Sequence, residues 1–296
     1  MGTEKIVFFT GKGGVGKSLV AAGYAAKRSQ EGLKVLLVEL GETSFYQSLF
    51  PEIKVDFAPT PVRPNLDVAH WVGPACLRDY ILYLVKSEKI LSIVFDNPFM
   101  KAFVEIAPSL AELSVVGKVT SHERGAGPKL DYDLIVVDAY ATGHMMALLR
   151  APVGMADAIK FGPMAQQSRE ILQILRNKAL TKYFIVTLPE ELPINESIEL
   201  WDLLLKEFGI KGYLVCNKVT KPPLNTLELT QIKDAFSEDN GLAEFVRYLT
   251  DSVSRQSEQC ERLGKTCDSE VNQIPHFYSS NGTELFEQII ESIKFR

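Results

Sequence analysis

Residues Gly11–Ser18 read GKGGVGKS and fit the pattern G-x-x-x-x-G-K-[ST]. This pattern works between a strand and a helix, because the loop then turns successive backbone N–H groups towards an anion at the helix N-terminus. Both neighbours are predicted. The run KIVFFT, ending at Thr10, is typical of a buried strand, and SLVAAGYAAKRSQEG is typical of a helix ending at Gly32. The chain is therefore predicted to carry a phosphate-binding loop (P-loop).

Two polar groups are expected to complete the phosphate site. Lys17 is predicted to reach the terminal phosphates, and the Ser18 hydroxyl to hold Mg²⁺. A second hydrophobic run ends in Asp138, where the Mg²⁺-fixing acid of a P-loop protein belongs. Asp138 alone also fits a helix N-cap, but the upstream loop favours the metal role. The turn Ala141–His144 follows at a strand end, where open α/β sheets bind ligands.

The order of apolar runs predicts the fold class. They alternate with helical patterns, which favours a mostly parallel central sheet covered by helices: an α/β P-loop NTPase. The predicted strands are Ile6–Thr10, Val35–Leu40, Leu66–His70, Leu134–Asp138, Tyr183–Leu188, Tyr213–Asn217 and Val271–Pro275. The proline-rich stretch Pro51–Asn65 is predicted to be a loop. We expect one domain over residues 1–296.

Two helical regions interrupt this rhythm and are predicted to form a helical subdomain, inserted at about residues 73–120 and 145–176. They are rich in methionine and phenylalanine, which suit either an adaptable apolar groove or the core of the subdomain. The core is favoured, because apolar residues at helical spacing are usually buried. The residues concerned are Phe95, Phe99, Met100, Phe103, Met145, Met146, Met155, Phe161 and Met164.

Composition restricts the partners. The net charge is −5 and no basic run suggests a nucleic-acid surface, so no nucleic-acid partner is expected. Four cysteines in 296 residues form no disulfide framework and no C-x-x-C zinc spacing. No apolar run approaches the ~20 residues that span a bilayer, and the N-terminus enters a strand directly. We therefore expect a cytoplasmic protein with no integral membrane segment.

The lysine at the start of the loop narrows the class. KGGVGKS, with Lys12, resembles the deviant P-loop of dimeric ATPases that include arsenite-pump ATPases, tail-anchored-protein targeting ATPases, ParA and Min-type proteins and nitrogenase iron protein. In that class the early lysine crosses the dimer interface to the partner's nucleotide. The resemblance therefore implies a homodimer in which Lys12 acts across the nucleotide sites. The alternative is a solvated surface lysine.

Three further stretches are similar to the ArsA family of anion-transporting, arsenite-pump ATPases. They are YDLIVVDAYATGHMMALLRAP, IVTLPEELPINESIEL and YLVCNKV. The resemblance implies ATP and Mg²⁺ as cofactors, catalytic roles for Lys12, Lys17 and Asp138, and metal binding by Ser18 and Asp138. It implies that Asn217 reads adenine. The implied nucleotide-binding residues are Gly11, Lys12, Gly13, Gly14, Val15, Gly16, Lys17, Ser18, Leu19, Asn217, Lys218 and Pro275.

The sequence departs from the family in two places. Tyr140 stands where the switch stretch of the family has a proline. The aspartate that positions the attacking water aligns with Gly41, flanked by Glu39 and Glu42. A glutamate has suitable chemistry for orienting water, but its reach differs. The sequence therefore predicts nucleotide binding and leaves the rate of hydrolysis open.

The predicted function is that of a nucleotide-gated ATPase of the ArsA kind that drives an unidentified client or an anion-transporting membrane partner. Arsenite binding needs converging thiolates, and the spacing of the cysteines does not suggest them. One alternative is a nucleotide-binding interaction module with little hydrolysis, suggested by Gly41. Another is a ParA or Min-type positioning ATPase, although the tail ELFEQIIESIKFR reads as a packed amphipathic helix.

Overall fold

A computed structural model describes residues 4–89, 108–221, 240–279 and 281–295. Within these residues eight strands form one sheet in the order β3-β4-β2-β5-β1-β6-β7-β8. The strands are β1 Ile6–Gly11, β2 Val35–Leu40, β3 Thr60–Arg63, β4 Leu66–Trp71, β5 Leu134–Ala141, β6 Thr181–Thr187, β7 Tyr213–Val219 and β8 Val271–Pro275. Every pairing is parallel except β3 with β4. The predicted fold class, an α/β fold with a mostly parallel sheet, is confirmed.

One strand was not predicted. The stretch Pro51–Asn65 was expected to be a loop, but Thr60–Arg63 pairs with β4 in antiparallel register. Its proline, Pro61, lies in β3, which is an edge strand of the sheet. Proline lacks a backbone N–H and is tolerated in such edge strands, where one side of the backbone needs no partner. The loop prediction was therefore wrong over these residues.

Helices cover both faces of the sheet. They are α1 Lys17–Gln30, α2 Tyr46–Leu49, α3 Gly73–Val85, α4 Pro108–Val119, α5 Ser121–Arg124, α6 Thr142–Ala158, α7 Pro163–Arg176, α8 Glu191–Phe208, α9 Asn240–Cys267 and α10 Gly282–Ser292. Side chains alternate along β1: Val7 and Phe9 pack with α1 and α10, whereas Ile6 and Phe8 pack with helices of the opposite face. Both faces of the central strand are thus buried, as a continuous apolar run requires.

The predicted helical regions are helical where the structure describes them. Residues 73–120 contain α3 and α4, and residues 145–176 contain most of α6 and α7. Met145 and Met146 are buried, as expected for core, and Met155 is partly buried. Phe161 and Met164 are 87% and 44% exposed, so the core prediction is wrong for them. Phe95, Phe99, Met100 and Phe103 lie outside the described residues, and the division into one domain with two insertions stays a prediction.

None of the helices in residues 4–89, 108–221, 240–279 and 281–295 combines the length and apolar character that a bilayer span demands.

Candidate functional site

The P-loop connects β1 to α1 at the centre of the sheet, and its glycines are required by geometry. Gly11 has φ 151°, and a Cβ there would clash with the carbonyl oxygen of Val186 on the neighbouring strand β6. Gly14 and Gly16 have φ 87° and 85°, a backbone conformation that side chains rarely adopt. Gly13 has open space around its Cβ position. The loop therefore turns tightly against β6 and presents its outer face to the cleft.

The side chains predicted to bind phosphate and metal lie together. Strands β1 and β5 are neighbours, with Phe9 opposite Asp138, so the end of β5 lies beside the loop. Lys17 Nζ donates to Asp138 Oδ1, and the Lys17 and Asp138 side chains are only 15% and 2% exposed. Ser18 follows Lys17 in the first turn of α1. A cation and a carboxylate thus meet beside the P-loop, and Ser18 is the next residue along α1.

These donors fit a magnesium ion. Mg²⁺ prefers hard oxygen ligands and is usually held by one or two protein groups, with phosphate and water oxygens completing the shell. The Ser18 hydroxyl and the Asp138 carboxylate are such a set. Among the described residues no cluster of three or more His, Cys, Asp or Glu side chains suits a metal ion. A magnesium ion at this place would therefore depend on phosphate oxygens for its remaining ligands.

Asn217 ties strand β7 to the P-loop. Its Nδ2 donates to the backbone oxygen of Val15 at 2.8 Å, and its Oδ1 accepts from the Lys218 backbone N–H at 2.9 Å. A Cβ on Gly16 would lie 2.5 Å from Nδ2, so this contact needs a glycine. The amide keeps one N–H and one lone pair for a ligand. Asn217 therefore supports the loop, which was not predicted from the sequence.

The segment after β2 separates the two candidate glutamates. Glu39 is 5% exposed, and its carboxylate accepts from Ser44 Oγ at 2.5 Å, from the Phe45 N–H at 2.7 Å and from the Tyr46 N–H at 3.4 Å. It therefore holds the start of α2. Glu42 is exposed and lines the cleft.

Tyr46 connects this segment to the P-loop. Its ring is fully buried, and its hydroxyl donates to the Ser18 backbone oxygen at 3.0 Å. Burial raises the pKa of Tyr46 well above its usual value, and the nearby carboxylates of Asp138 and Glu39 add to the rise. The phenol therefore stays protonated and remains a donor.

A cleft of about 870 Å³ opens over the P-loop. Predicted residues that line it are Lys12, Gly13, Gly14, Gly16, Lys17, Ser18, Leu19, Asn217, Lys218 and Pro275. Gly11, Val15 and Asp138 are not part of its lining, and the last two act through Asn217 and Lys17. Lining residues missed from the sequence include Thr43, Phe45, His276 and Phe277. These residues follow β2 or β8, and the end of a strand is where open α/β sheets bind ligands.

Lys12 has a different ion-pair partner from Lys17, the other lysine of the loop. Its Nζ lies 2.5 Å from Oε1 of Glu196 on α8, and the two side chains are 37% and 38% exposed. The predicted contact with a second subunit stays a prediction. The two loop lysines thus have separate partners, Asp138 on β5 for Lys17 and Glu196 on α8 for Lys12.

The cysteines form a pair rather than a triad. All four are free and buried, and the sulfur atoms of Cys216 and Cys260 lie 3.3 Å apart. Cys216 directly precedes Asn217 in β7, so this contact ties α9 to the strand that supports the loop.

The sheet order, the loop between β1 and α1, and the contact of Lys17 with Asp138 define a P-loop nucleotide-binding protein. A family model described as an anion-transporting ATPase matches residues 4–162, more than half of the chain. The chain belongs to the ArsA family of anion-transporting ATPases.

Several relatives are similar over most of the chain. ATPase BagA of Mycobacterium tuberculosis is 27% identical over 297 residues, covering 90% of this chain and 84% of BagA. Putative arsenical pump-driving ATPase 2 of Aquifex aeolicus is 25% identical, covering 73% of this chain and 80% of that protein. An arsenical pump-driving ATPase of Escherichia coli is 25% identical, covering 72% of this chain but only 39% of that protein.

Proposed function

We propose that this ATPase binds ATP with Mg²⁺ in the cleft over the P-loop and hydrolyses it as a homodimer that closes on the nucleotide. The contact of Lys17 with Asp138 beside the P-loop, with Ser18 as the next residue of α1, carries the proposal. Phosphoryl transfer needs positioning and charge neutralisation rather than covalent help from the protein. These three groups supply a cation and two oxygen ligands for that purpose.

Lys17 changes partner when the nucleotide binds. Its ammonium leaves Asp138 for the terminal phosphates, where it neutralises charge next to the loop N–H groups. Asp138 and the Ser18 hydroxyl are then free to hold Mg²⁺, which would supply further neutralisation of the phosphate oxygens. The Lys17–Asp138 contact therefore keeps both groups in place for their later roles.

The base is assigned to the side of the cleft formed by β7 and β8. Asn217 keeps one donor and one acceptor for the adenine edge, and Lys218 and Pro275 line the same cleft. Phe277 lies there too and offers an apolar surface for the ring. The support for adenine is the pairing of an amide with an aromatic wall.

Glu42 is the residue we assign to the attacking water. The Glu39 carboxylate is occupied by three hydrogen bonds at the start of α2, whereas Glu42 lines the cleft and is exposed. In hydrolysis, water attacks the γ-phosphorus, the bond to the bridging oxygen breaks, and ADP leaves. Glu42 accepts the proton that the water loses.

The dimer is proposed from Lys12. This lysine lies at the rim of the cleft, more than a third exposed, with Gly13 and Gly14 beside it open to solvent. A second subunit facing this rim would receive Lys12 on its own nucleotide. A buried cation on the γ-phosphate favours the charge that develops in the transition state.

Mixed dimers test the assignment. Lys12→Ala chains and Ser18→Ala chains should each be inactive alone, because one lacks the crossing cation and the other lacks the metal ligand. After mixing, one site of each mixed dimer has an intact Ser18 and an incoming Lys12. About half the activity per mixed dimer should return, since one of its two sites is complete. No recovery, with subunit exchange demonstrated by differently tagged chains, would contradict cross-subunit action.

A second candidate function rests on Gly41, which stands where the family has its water-positioning aspartate. It is an interaction module that binds ATP, closes, and hydrolyses very slowly. Single-turnover hydrolysis measured beside ATP affinity separates the two, because the module retains affinity and loses turnover. In either case we propose that closing of the dimer acts on an unidentified client or membrane partner. The name of the relatives, arsenical pump-driving ATPase, suggests an anion-transport partner as the first to examine.

A further inference from the structure

The ion pair between Lys12 and Glu196 joins two elements that are distant in sequence. Strand β1 runs beside β6, with Gly11 opposite Val186, and α8 follows β6. Lys12 therefore leaves the end of β1 beside the first turns of α8. Its ammonium meets the Glu196 carboxylate at 2.5 Å. Among the described residues this carboxylate is the only ion-pair partner found for Lys12.

Glu196 is presented by a fixed part of α8. Ile194 and Ser197 on either side are 0% and 1% exposed, so the helix is packed against the core at this point. Asn195 accepts a hydrogen bond from Arg262 of α9, which anchors the same turn. By contrast, Gly13 and Gly14 have no neighbouring atoms around their Cβ positions. The carboxylate is thus held on a rigid helix, and the lysine extends to it from an open loop.

We propose that Glu196 is a positioning residue that holds Lys12 on its own subunit until a second subunit brings its nucleotide. This inference rests on the proposed dimer. The Lys12 ammonium cannot satisfy the Glu196 carboxylate and a phosphate of the partner at full strength together, so closure breaks the pair. Glu196 therefore opposes dimerisation and keeps Lys12 extended along the rim.

The strength of the contact sets the size of the effect. Exposed ion pairs are worth about 0.2–1 kcal/mol, and 1.4 kcal/mol corresponds to a factor of ten. Holding Lys12 should therefore change the closing equilibrium by no more than about fivefold for each Lys12 released. That is enough to delay closure without trapping the open form, because the γ-phosphate offers more charge than one carboxylate.

The first measurement tests the contact itself and needs no nucleotide. Lys12 is labelled with a low concentration of an amine-acylating reagent, and the modified peptide is quantified by mass spectrometry. In Glu196→Gln the labelling rate of Lys12 should rise about two- to fivefold, because its carboxylate partner is gone. Glu199→Gln is the matched control: Glu199 is exposed on the same helix, and its replacement removes the same charge. Equal labelling of Lys12 in all three proteins would overturn the proposal.

The second measurement tests the consequence. Dimer formation is followed by analytical ultracentrifugation while a slowly hydrolysed ATP analogue is added with Mg²⁺. Glu196→Gln should reach half-maximal dimer at about two- to fivefold lower analogue concentration than the wild type and Glu199→Gln. An unchanged midpoint, with Lys12 labelling increased, would overturn the holding role but leave the dimer intact. A wild-type chain that stays monomeric at saturation would instead refute the proposed dimer, and the holding role with it.

Discussion

Lys17 of α1 and Asp138 of β5 form an ion pair that is largely shielded from solvent. Replacing Lys17 by alanine removes the cation intended for the phosphates. Because a charge-assisted hydrogen bond is worth about 1.5–3 kcal/mol, ATP affinity measured by calorimetry should fall about 10- to 100-fold. Lys178→Ala, an exposed lysine far from the loop in sequence, should leave the affinity unchanged.

The same variant has a predicted cost in stability, since Asp138 is left buried without its cation. Adding Asp138→Asn removes that charge, so the double variant should regain most of the free energy of unfolding lost in Lys17→Ala. Denaturant unfolding measures both. An unchanged ATP affinity in Lys17→Ala would show that the site has been assigned wrongly.

Two loop glycines form a matched pair. Gly11→Ala places a methyl group against the backbone oxygen of Val186, at a φ of 151°. We expect a loss of about 2–3 kcal/mol in the free energy of unfolding, because backbone cannot move aside as a flexible side chain can. Gly13→Ala meets open space and should change stability by no more than about 0.5 kcal/mol. Equal effects would mean that the loop does not lie against β6 in solution.

The glutamates after β2 should separate chemistry from stability. Glu42→Gln should lower kcat about 100-fold or more at unchanged ATP affinity, as expected for loss of a general base. Glu39→Gln should mainly lower stability, by about 1–3 kcal/mol, since its charge accepts hydrogen bonds from the start of α2. Steady-state kinetics and denaturant unfolding on both variants decide the matter. A full kcat in Glu42→Gln would reject its catalytic assignment.

Asn217→Ala removes the side-chain amide that we propose binds adenine, and with it the hydrogen bond to Val15. We expect ATP affinity to fall about five- to tenfold and GTP affinity to fall less, because only adenine uses the free amide edge. Asn272→Ala is a suitable control, since Asn272 also bonds a strand carbonyl, that of Leu214. If ATP and GTP lose affinity equally, Asn217 serves the loop alone.

Periodicity and local motif carry much of this structure. Val35–Leu40 and Val271–Pro275 were predicted with the observed bounds, and Val35–Leu40 is the clearer case because it is almost entirely apolar. Lys17 and Asp138, both predicted from the P-loop pattern and the strand that ends in the acid, are in contact, and their roles towards phosphate and Mg²⁺ stay predictions. The strand Thr60–Arg63 was missed, because its stability comes from pairing with β4 rather than from its own residues.

What the sequence could not supply is the choice between similar groups. Glu39 and Glu42 are equivalent in the sequence, and only the fold around Ser44 to Tyr46 shows that Glu39 is already committed. Lys12 and Glu196 are 184 residues apart, so no local pattern links them. Phe161 and Met164 have the spacing of core residues, yet they lie exposed around the break between α6 and α7.

The P-loop is held by hydrogen bonds from two residues, one on each side of β1 in the strand order of the sheet. Asn217 of β7 donates to the Val15 backbone oxygen, and Tyr46, which follows β2, donates to the Ser18 backbone oxygen. Val15 and Ser18 lie within one turn of the chain. A displacement of Asn217 by a bound base would therefore also displace the phosphate-binding part of the loop and the segment that carries Glu42. A poorly fitting base would then slow turnover as well as weaken binding. Selectivity for adenine should therefore appear in kcat as well as in KM.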